Sequence, residues 1–239
     1  LGRAALRMLP PSLITRIQSY PGRFGPEELA RIRNVFGQIK NPFNAYISTV
    51  SLFEGPELAS LFSASFLESC APEPDTKPLR EIFDSEPEPW RAMMRSEVEQ
   101  MTLIVNLLKQ DRFGMRYSLE GCVPLVSRPI VEFAGTLPFS TMFGPTNKAL
   151  LLNYSGAPAI AKAPFSLFTT PRYLSKISEL VDRYVTRDNV EDCGVLSWDG
   201  IKPILDALPA GNVLVVKRSM AILVFMAWWS GFRSSLRSG

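Results

Sequence analysis

Apolar residues recur at helical spacing along most of the chain. A helix is predicted over 26–39, because Pro26 and two glutamates stand at its start and its apolar residues share one face. The same pattern begins at Pro56 and predicts a helix through Phe66, and it recurs over 172–185. Ser197 is predicted to cap another helix. The pattern therefore predicts a mainly α protein.

The longest apolar stripe predicts a helix from about Arg91 to Arg112. Its apolar residues alternate steps of four and three, which keeps them on one face of an α-helix. These residues are Met94, Val98, Met101, Val105 and Leu108.

A proline-rich and acidic segment precedes this helix. Residues 71–90 hold five prolines, a composition typical of an extended, exposed connector. The sequence therefore predicts a helical lead segment over 1–70, a connector over 71–90, and a C-terminal helical region over 91–239.

The C-terminal segment is apolar enough to raise the question of a membrane span. Lys217 and Arg218 interrupt it, and the uncharged run Ser219–Phe232 is shorter than the roughly 18 to 20 apolar residues that a span needs. A packed or docking helix is predicted instead, with no membrane span.

Composition narrows the possible chemistry. The chain has 239 residues, a net charge of +3 and no histidine. The mild charge argues against a nucleic-acid partner. Without histidine, Ser-His-Asp and Cys-His catalysis and ordinary zinc sites are excluded, so no metal site of the chain's own is predicted.

Cysteine usage and the N-terminus predict a cytoplasmic protein. Three widely spaced cysteines form no disulfide framework or metal motif, so reduced and mostly buried thiols are expected. Leu1–Pro10 contains two arginines and no continuous apolar core, so no signal peptide is predicted.

The segment 111–138 combines charged residues with a helix start. Val123-Pro124-Leu125 is predicted to return the chain to the core, with Ser127 capping a helix whose first turn holds Pro129. The predicted inner face of that helix is Ile130, Val131, Phe133, Ala134 and Leu137. Glu120 would then lie in a loop between two helices, as a positioned catalytic carboxylate or as an ion-pair partner of a neighbouring arginine.

An ordered series of short motifs resembles the C-terminal part of the asparagine synthetase family, most clearly over 107–165. In chain order the motifs are Leu107-Leu108, Asp111-Arg112, Met115, Ser118-Leu119-Glu120, Val123-Pro124-Leu125, Val131-Glu132-Phe133, Leu137-Pro138 and Lys148-Ala149-Leu150-Leu151. The resemblance implies the helical C-terminal portion of a synthetase domain of the ATP pyrophosphatase type (adenine-nucleotide α-hydrolase-like).

The resemblance implies ATP-dependent amide formation. In the family, ATP with Mg²⁺ adenylates a carboxyl group, and ammonia or another amine attacks it. Glu120 matches the glutamate that accepts a proton from the amine or orients it, and Lys162 matches a lysine that stabilises charge near the adenylate. Further candidates for contacts to substrate or phosphate are Lys148, Asp111, Arg112 and Tyr117. The short "PLVSRP" is similar to the lasso-peptide-cyclase-like branch.

The chain also departs from the family pattern. Cys122 and Asn153 replace two family arginines, and the Ser-Gly-Gly-x-Asp-Ser nucleotide loop does not occur. We therefore expect the C-terminal portion of a longer or split synthetase, which does not bind ATP alone. Its expected partner is a nucleotide-binding segment or subunit, with a glutaminase domain as a further candidate. Self-association is expected where that partner is missing.

Two functions of different classes remain open at this point. The first is a portion of an amide-forming ligase, completed by the nucleotide-binding partner. The alternative is a degenerate, non-catalytic helical binding or scaffold protein, which the changes at Cys122 and Asn153 favour. A membrane-anchored protein is a third, weaker hypothesis.

Overall fold

The computed structural model describes residues 34–35, 37–38, 40–53, 55–69, 75–142, 149–156 and 170–237. Over these residues the chain is helical, and the β-pairing consists of an isolated antiparallel bridge between Phe62 and Leu196. Two compact units divide the chain. The first takes in the described residues of 1–74 and of 164–239, and the second takes in those of 75–163. A mainly α fold is confirmed.

The α-helices of the first unit are α1 (Pro42–Val50), α2 (Gly55–Ser60), α3 (Ala64–Ser69), α10 (Pro171–Tyr184), α11 (Arg187–Cys193), α12 (Trp198–Asp206) and α13 (Val213–Arg237). Those of the second unit are α4 (Lys77–Ser85), α5 (Pro89–Ser96), α6 (Leu108–Met115), α7 (Arg128–Thr136), α8 (Phe139–Met142) and α9 (Ala149–Ser155). Short 3₁₀ turns cover Pro124–Val126 and Leu208–Ala210.

The first unit has a buried apolar core around α13. Its fully or nearly fully buried members are Leu61, Ile177, Val181, Val185, Val190, Cys193, Ile201, Leu208, Val216, Ile222, Leu223 and Met226. Helices α10 and α12 pack on α13, as their amphipathic patterns require. The apolar pattern of the segment 172–185 predicts five inward-facing residues, and the prediction is confirmed because all are buried or half-buried. They are Leu174, Ile177, Leu180, Val181 and Tyr184.

The single helix predicted from Pro56 through Phe66 is wrong, because residues 61–63 interrupt it and separate α2 from α3. There the backbone amide of Ser63 donates to the carbonyl of Val195, at 2.9 Å. The amide of Ser197 donates to the carbonyl of Leu61, at 2.8 Å. These bonds to a distant part of the chain replace the local helical bonds.

Gly200 allows the close packing at this bridge. A Cβ at Gly200 would overlap the carbonyl oxygen of Ser60, so a larger residue would push α12 away from the end of α2. Glycine is unfavourable inside a helix, and here the close backbone approach accounts for it.

A partly buried ion pair joins α13 to α2 within the first unit. The Arg218 guanidinium contacts the Glu57 carboxylate, with Nη1 and Oε1 2.6 Å apart and Nη2 donating at 2.7 Å. Its Nε also donates to the carbonyl of Leu52 at 3.2 Å, and the group lies over the ring of Phe53. Arg218 is thus a structural residue, since its charge is compensated within the unit.

The helix starts follow the prediction more closely than the caps do. Helices α7 and α12 begin directly after Ser127 and Ser197, and α7 carries a proline in its first turn. Neither serine side chain accepts a capping hydrogen bond, so the predicted side-chain caps are wrong. Asn212 does cap α13, because its Oδ1 accepts from the amides of Leu214 and Val215.

Helix α13 contains the C-terminal apolar segment. Within the described residues, Val213–Ser235 is long and apolar enough to cross a membrane, with mean hydropathy 1.5, and 44% of the most apolar window is buried inside the protein. Core helices of soluble proteins also have this length and composition. Its contacts with α10 and α12 support the predicted packed helix.

In the second unit, a continuous helical run extends from Pro89 to Met115, past the predicted end at Arg112. Its middle part, Glu97–Leu107, has the i→i+5 hydrogen bonds of a π-helix. A wider turn moves residues spaced by three and four around the axis. Within the predicted apolar stripe, Val105 and Leu108 are exposed.

The extended backbone predicted for 71–90 is wrong over α4. Pro78 lies in its first turn, where the missing amide is not needed, and Ile82 is buried. The first unit also combines residues from before and after the second. The division at residues 70 and 90 stays a prediction.

The second unit buries few side chains. Among its described residues only Ile82, Ala92 and Ser96 are buried. Val131, Ala134 and Leu137 are half-buried. The predicted inner face of α7 is wrong at Ile130 and Phe133, and the predicted return to the core is wrong at Leu125. All three are exposed.

Candidate functional site

Glu120 lies in the loop between α6 and α7, as predicted. A tight turn leads into it. The amides of Tyr117 and Leu119 both donate to the carbonyl of Gly114, at 2.8 and 3.0 Å, and the amide of Ser118 donates to Met115 at 3.1 Å. Ser118 has a left-handed backbone, with φ of 55°. Non-glycine residues adopt this conformation infrequently, and such positions cluster at functional sites.

The backbone on both sides of Glu120 lies close to α6. An ideal Cβ at Gly114 would come within 2.6 Å of the carbonyl oxygen of Leu119. On the other side, the amide group of Gln110 occupies the position that a Cβ of Gly121 would take. The peptide units before and after Glu120 are therefore held against the helix, while its side chain stays exposed.

The ion-pair interpretation of Glu120 is not supported by the described contacts. Arg112 and Arg116 are exposed and form no ion pair among the described residues. Arg128 pairs with Glu132 instead, with Nε and Oε1 2.7 Å apart. Glu120 is thus a solvent-facing carboxylate without a salt-bridge partner in the described part of the chain.

The other predicted site residues divide into two groups. Asp111 and Arg112 lie on α6, and Tyr117 lies in the turn with 72% of its surface exposed, so they share the segment 111–120 with Glu120. Lys148 and Lys162 lie outside the described residues. The structure therefore does not test whether either lysine meets Glu120.

The described residues of the second unit do not fit Mg²⁺ and ATP. Within the described ranges no three histidine, cysteine or acidic side chains come together as a metal site. The segment 111–120 offers cations but no glycine-rich loop whose amides could cradle phosphates. What this segment can supply is a proton acceptor and positive charge.

The described cavity, of about 370 Å³, belongs to the first unit. Its lining includes Tyr184, Asp192, Met226, Trp229 and Arg233, and Asp192 forms an ion pair with Arg233. Sequence reasoning missed this cavity. The two charged residues are far apart in sequence and no motif links them.

The comparisons with known proteins point to one family. A family model described as asparagine synthase matches residues 38–230. The match runs through both units and includes Glu120. No curated protein and no solved structure matched the chain.

Proposed function

Because the chain belongs to the asparagine synthase family, we propose that it is the amine-activating part of an ATP-dependent amide-forming ligase. The observation that carries the proposal is the fixed turn around Glu120, inside the matched region. Binding of Mg²⁺ and ATP is assigned to a nucleotide-binding segment or subunit. There ATP would activate the carboxyl group of the substrate by adenylating it, with release of pyrophosphate.

Glu120 is the proposed proton acceptor. An amine is protonated near neutral pH and has no lone pair to attack with. Transfer of one proton to the Glu120 carboxylate frees that lone pair, which would then attack the carboxyl carbon of the acyl-adenylate. The carbon–nitrogen bond would form as the bond from that carbon to the adenylate oxygen breaks and AMP leaves. The Leu119 and Gly121 backbone contacts support this role, because a positioned base needs little rearrangement during the reaction.

The other polar residues of the segment 111–120 have a proposed role in binding. Arg112 and Tyr117 reach solvent from the same segment, and they would contact the carboxylate or phosphate oxygens of the substrate, with Asp111 orienting the amine. Lys162 is proposed to stabilise charge near the activated carboxyl group, and Lys148 to make a secondary contact.

The finer assignment is the lasso-peptide-cyclase-like branch, supported by "PLVSRP" at 124–129. There the acid and the amine belong to one peptide, and the amide closes a ring. Asparagine formation, with ammonia delivered by a glutaminase partner, is the competing assignment within the same family.

The experiment compares Glu120→Gln with Glu132→Gln in the chain combined with its nucleotide-binding partner. Both are exposed acids of the second unit, but Glu132 is paired with Arg128. Loss of the base should lower the rate of amide formation about 100-fold or more, while the Glu132 variant keeps its rate. Lys162→Ala should show a loss of similar size.

A non-catalytic scaffold is the second candidate, motivated by Cys122 and Asn153 at the positions of family arginines. It predicts that Glu120→Gln and Lys162→Ala leave the biological activity intact. Equal rates of amide formation for the Glu120 and Glu132 variants would refute Glu120 as the base. No amide formation by the unaltered chain combined with its nucleotide-binding partner would refute the ligase proposal and favour the scaffold.

A further inference from the structure

We propose that helix α13 of the first unit docks on an anionic lipid surface and lies in its plane. The docking surface is one exposed side of the helix, called the α13 face, and its members are Lys217, Ala221, Val224, Trp228 and Phe232. This inference goes beyond the proposed function, which concerns Glu120 in the second unit.

Helical spacing places these residues on one side of α13. Their positions follow steps of four, three, four and four, which keeps side chains in one stripe along an α-helix. On the opposite side, Ser219, Ile222 and Met226 are buried in the first unit. The helix therefore has one side in the core and one side open to solvent.

The α13 face collects the exposed apolar surface of the first unit. Among the described residues of this unit, the exposed large apolar side chains are Val224, Trp228 and Phe232, and Trp228 is 56% exposed. All three lie on α13 in steps of four. Exposed apolar side chains concentrated in this way are typical of an interaction site.

The aromatic residues of the face suit a membrane surface. The rings of Trp228 and Phe232 stack, with centroids 5.3 Å apart and planes 12° from parallel. Tryptophan is enriched at the level of lipid headgroups, where its ring is half in apolar surroundings. From Ala221 to Phe232 the apolar part of the face is about 17 Å long.

The serines beyond the aromatic end have their hydroxyl groups bonded within the helix. Ser234 Oγ donates to the carbonyl of Gly231 at 2.7 Å, and Ser235 Oγ donates to the carbonyl of Phe232 at 2.6 Å. Hydroxyl groups bonded in this way can leave water without losing a hydrogen bond. This end of the helix can therefore approach the lipid headgroups at low cost.

The charges of this region favour an anionic surface. Lys217 begins the face, is exposed and forms no ion pair among the described residues. The segment 207–239 contains no aspartate or glutamate. The described acids that pair with α13, Glu57 and Asp192, are already compensated by its arginines. Anionic lipids attract an exposed lysine and meet no opposing carboxylate from this helix.

The same observations argue against a transmembrane helix and against a second copy as the occupant. The buried side of α13 packs on α10 and α12, so only the α13 face can enter lipid. Pairing of two α13 faces would offer Lys217 no carboxylate in either direction, because 207–239 contains none. A parallel pair would also bring the two lysines together, which is unfavourable.

Lipid binding can be measured by co-sedimentation of the full chain with vesicles. The probes are vesicles of phosphatidylcholine and phosphatidylserine in equal amounts, and vesicles of phosphatidylcholine alone. We expect the chain to sediment with the mixed vesicles, less so in high salt, and to bind the neutral vesicles more weakly. Lys217→Ala should weaken binding to the mixed vesicles about fivefold and leave binding to the neutral vesicles unchanged.

Trp228→Glu should weaken binding to both kinds of vesicle about tenfold or more, because it places a charge within the apolar face. The matched control is Phe133→Glu, which makes the same kind of change at an exposed aromatic position of α7 in the second unit. It should bind the vesicles as the unaltered chain does. Val224→Glu provides a second test of the face.

Four results would overturn the lipid proposal. The first is no binding to the mixed vesicles, and the second is equal binding by the Trp228 and Phe133 variants. The third is a complex that forms without lipid and is abolished by Trp228→Glu, which identifies a second copy or another polypeptide as the occupant. The fourth is a loss of thermal stability with Val224→Glu, which means that the chain itself covers the face.

Discussion

The two units contain apolar residues of the same kinds but use them differently. The first unit buries a cluster around α13, with Ile201, Val216 and Met226 almost completely removed from solvent. The second buries Ile82 and Ala92 as its only apolar residues among those described, while Ile104 and Phe133 face solvent. The first unit therefore has a buried apolar core of its own, whereas much of the apolar surface of the second unit is exposed to solvent.

The candidate base belongs to the unit with the weaker core. Glu120 is held by backbone contacts to α6 rather than by a surrounding core. Such a site can be positioned locally and still remain open until a partner covers it. This division separates stability from recognition within a single chain.

The largest effect should come from the core of the first unit. Ile201 is fully buried, so Ile201→Ala should lower the free energy of unfolding by about 2–5 kcal/mol through lost burial and a cavity. Ile104→Ala, in the second unit, should change it by less than about 0.5 kcal/mol. Urea titrations of both variants test the contrast, and equal losses would contradict it.

Two glycines sharpen the comparison at the level of the backbone. Gly200→Ala should cost about 1–3 kcal/mol, because the new methyl group would overlap the carbonyl of Ser60 in the first unit. Gly121→Ala meets only the end of the Gln110 side chain, which can rotate away, so it should cost less than about 1 kcal/mol. A larger loss for Gly121→Ala would show that the Glu120 loop is as rigidly packed as the core.

The reactivity of the cysteine thiols should also differ between the two units. In a Cys70→Ser background, exposed Cys122 should react with a thiol reagent in the native state, whereas buried Cys193 should react only through local opening. Comparable labelling of the two thiols in the native state would mean that the first unit opens readily.

The stability of the first unit should also depend on Cys193 at alkaline pH. Burial raises the pKa of the Cys193 thiol. The protonated thiol therefore contributes fully to the free energy of unfolding at pH values below the thiol pKa of the unfolded chain, about 8.5. This contribution is lost as the pH rises through the higher pKa of the folded state. Urea titrations across this range should show a fall that Cys193→Ala removes. The same fall in the variant would assign it to other groups.

The smallest losses of stability should come from neutralising exposed ion pairs, and these losses should be of similar size in the two units. Arg128 with Glu132, and Lys176 with Glu179, are exposed ion pairs with closest nitrogen–oxygen distances of 2.7 Å. Neutralising either acid should cost no more than about 0.5 kcal/mol, and less in high salt. A clear difference between Glu132→Gln and Glu179→Gln would show that the units also differ in their surface electrostatics.

Local patterns predicted the helices that local forces determine. Pro171–Tyr184 follows its apolar stripe closely, and its Ile177 and Val181 are buried as expected. The break at 61–63 could not be predicted, because bonds to Val195 and Ser197 cause it. The π-helical segment also escaped prediction, since a periodicity analysis assumes the α-helical turn.

Part of the candidate site was also predictable. The helix patterns on either side placed Glu120 in a loop between helices, and the structure confirms that position. The left-handed Ser118 and the contact between Gln110 and Gly121 were not predicted, because each depends on how the turn folds back on α6. The roles of Glu120, Lys148 and Lys162 stay predictions.

The discontinuity of the first unit has a consequence for biosynthesis. Its bridge joins Phe62 to Leu196, and Arg218 pairs with Glu57. The N-terminal member of each pair is therefore synthesised long before its C-terminal partner and cannot form the contact until then. Closing so long a loop carries an entropic cost that must be met before these contacts form. On the ribosome, the second unit emerges while the first still lacks α13. Its exposed apolar residues thus reach solvent before the core of the first unit is complete, which is the situation in which chaperones bind nascent chains.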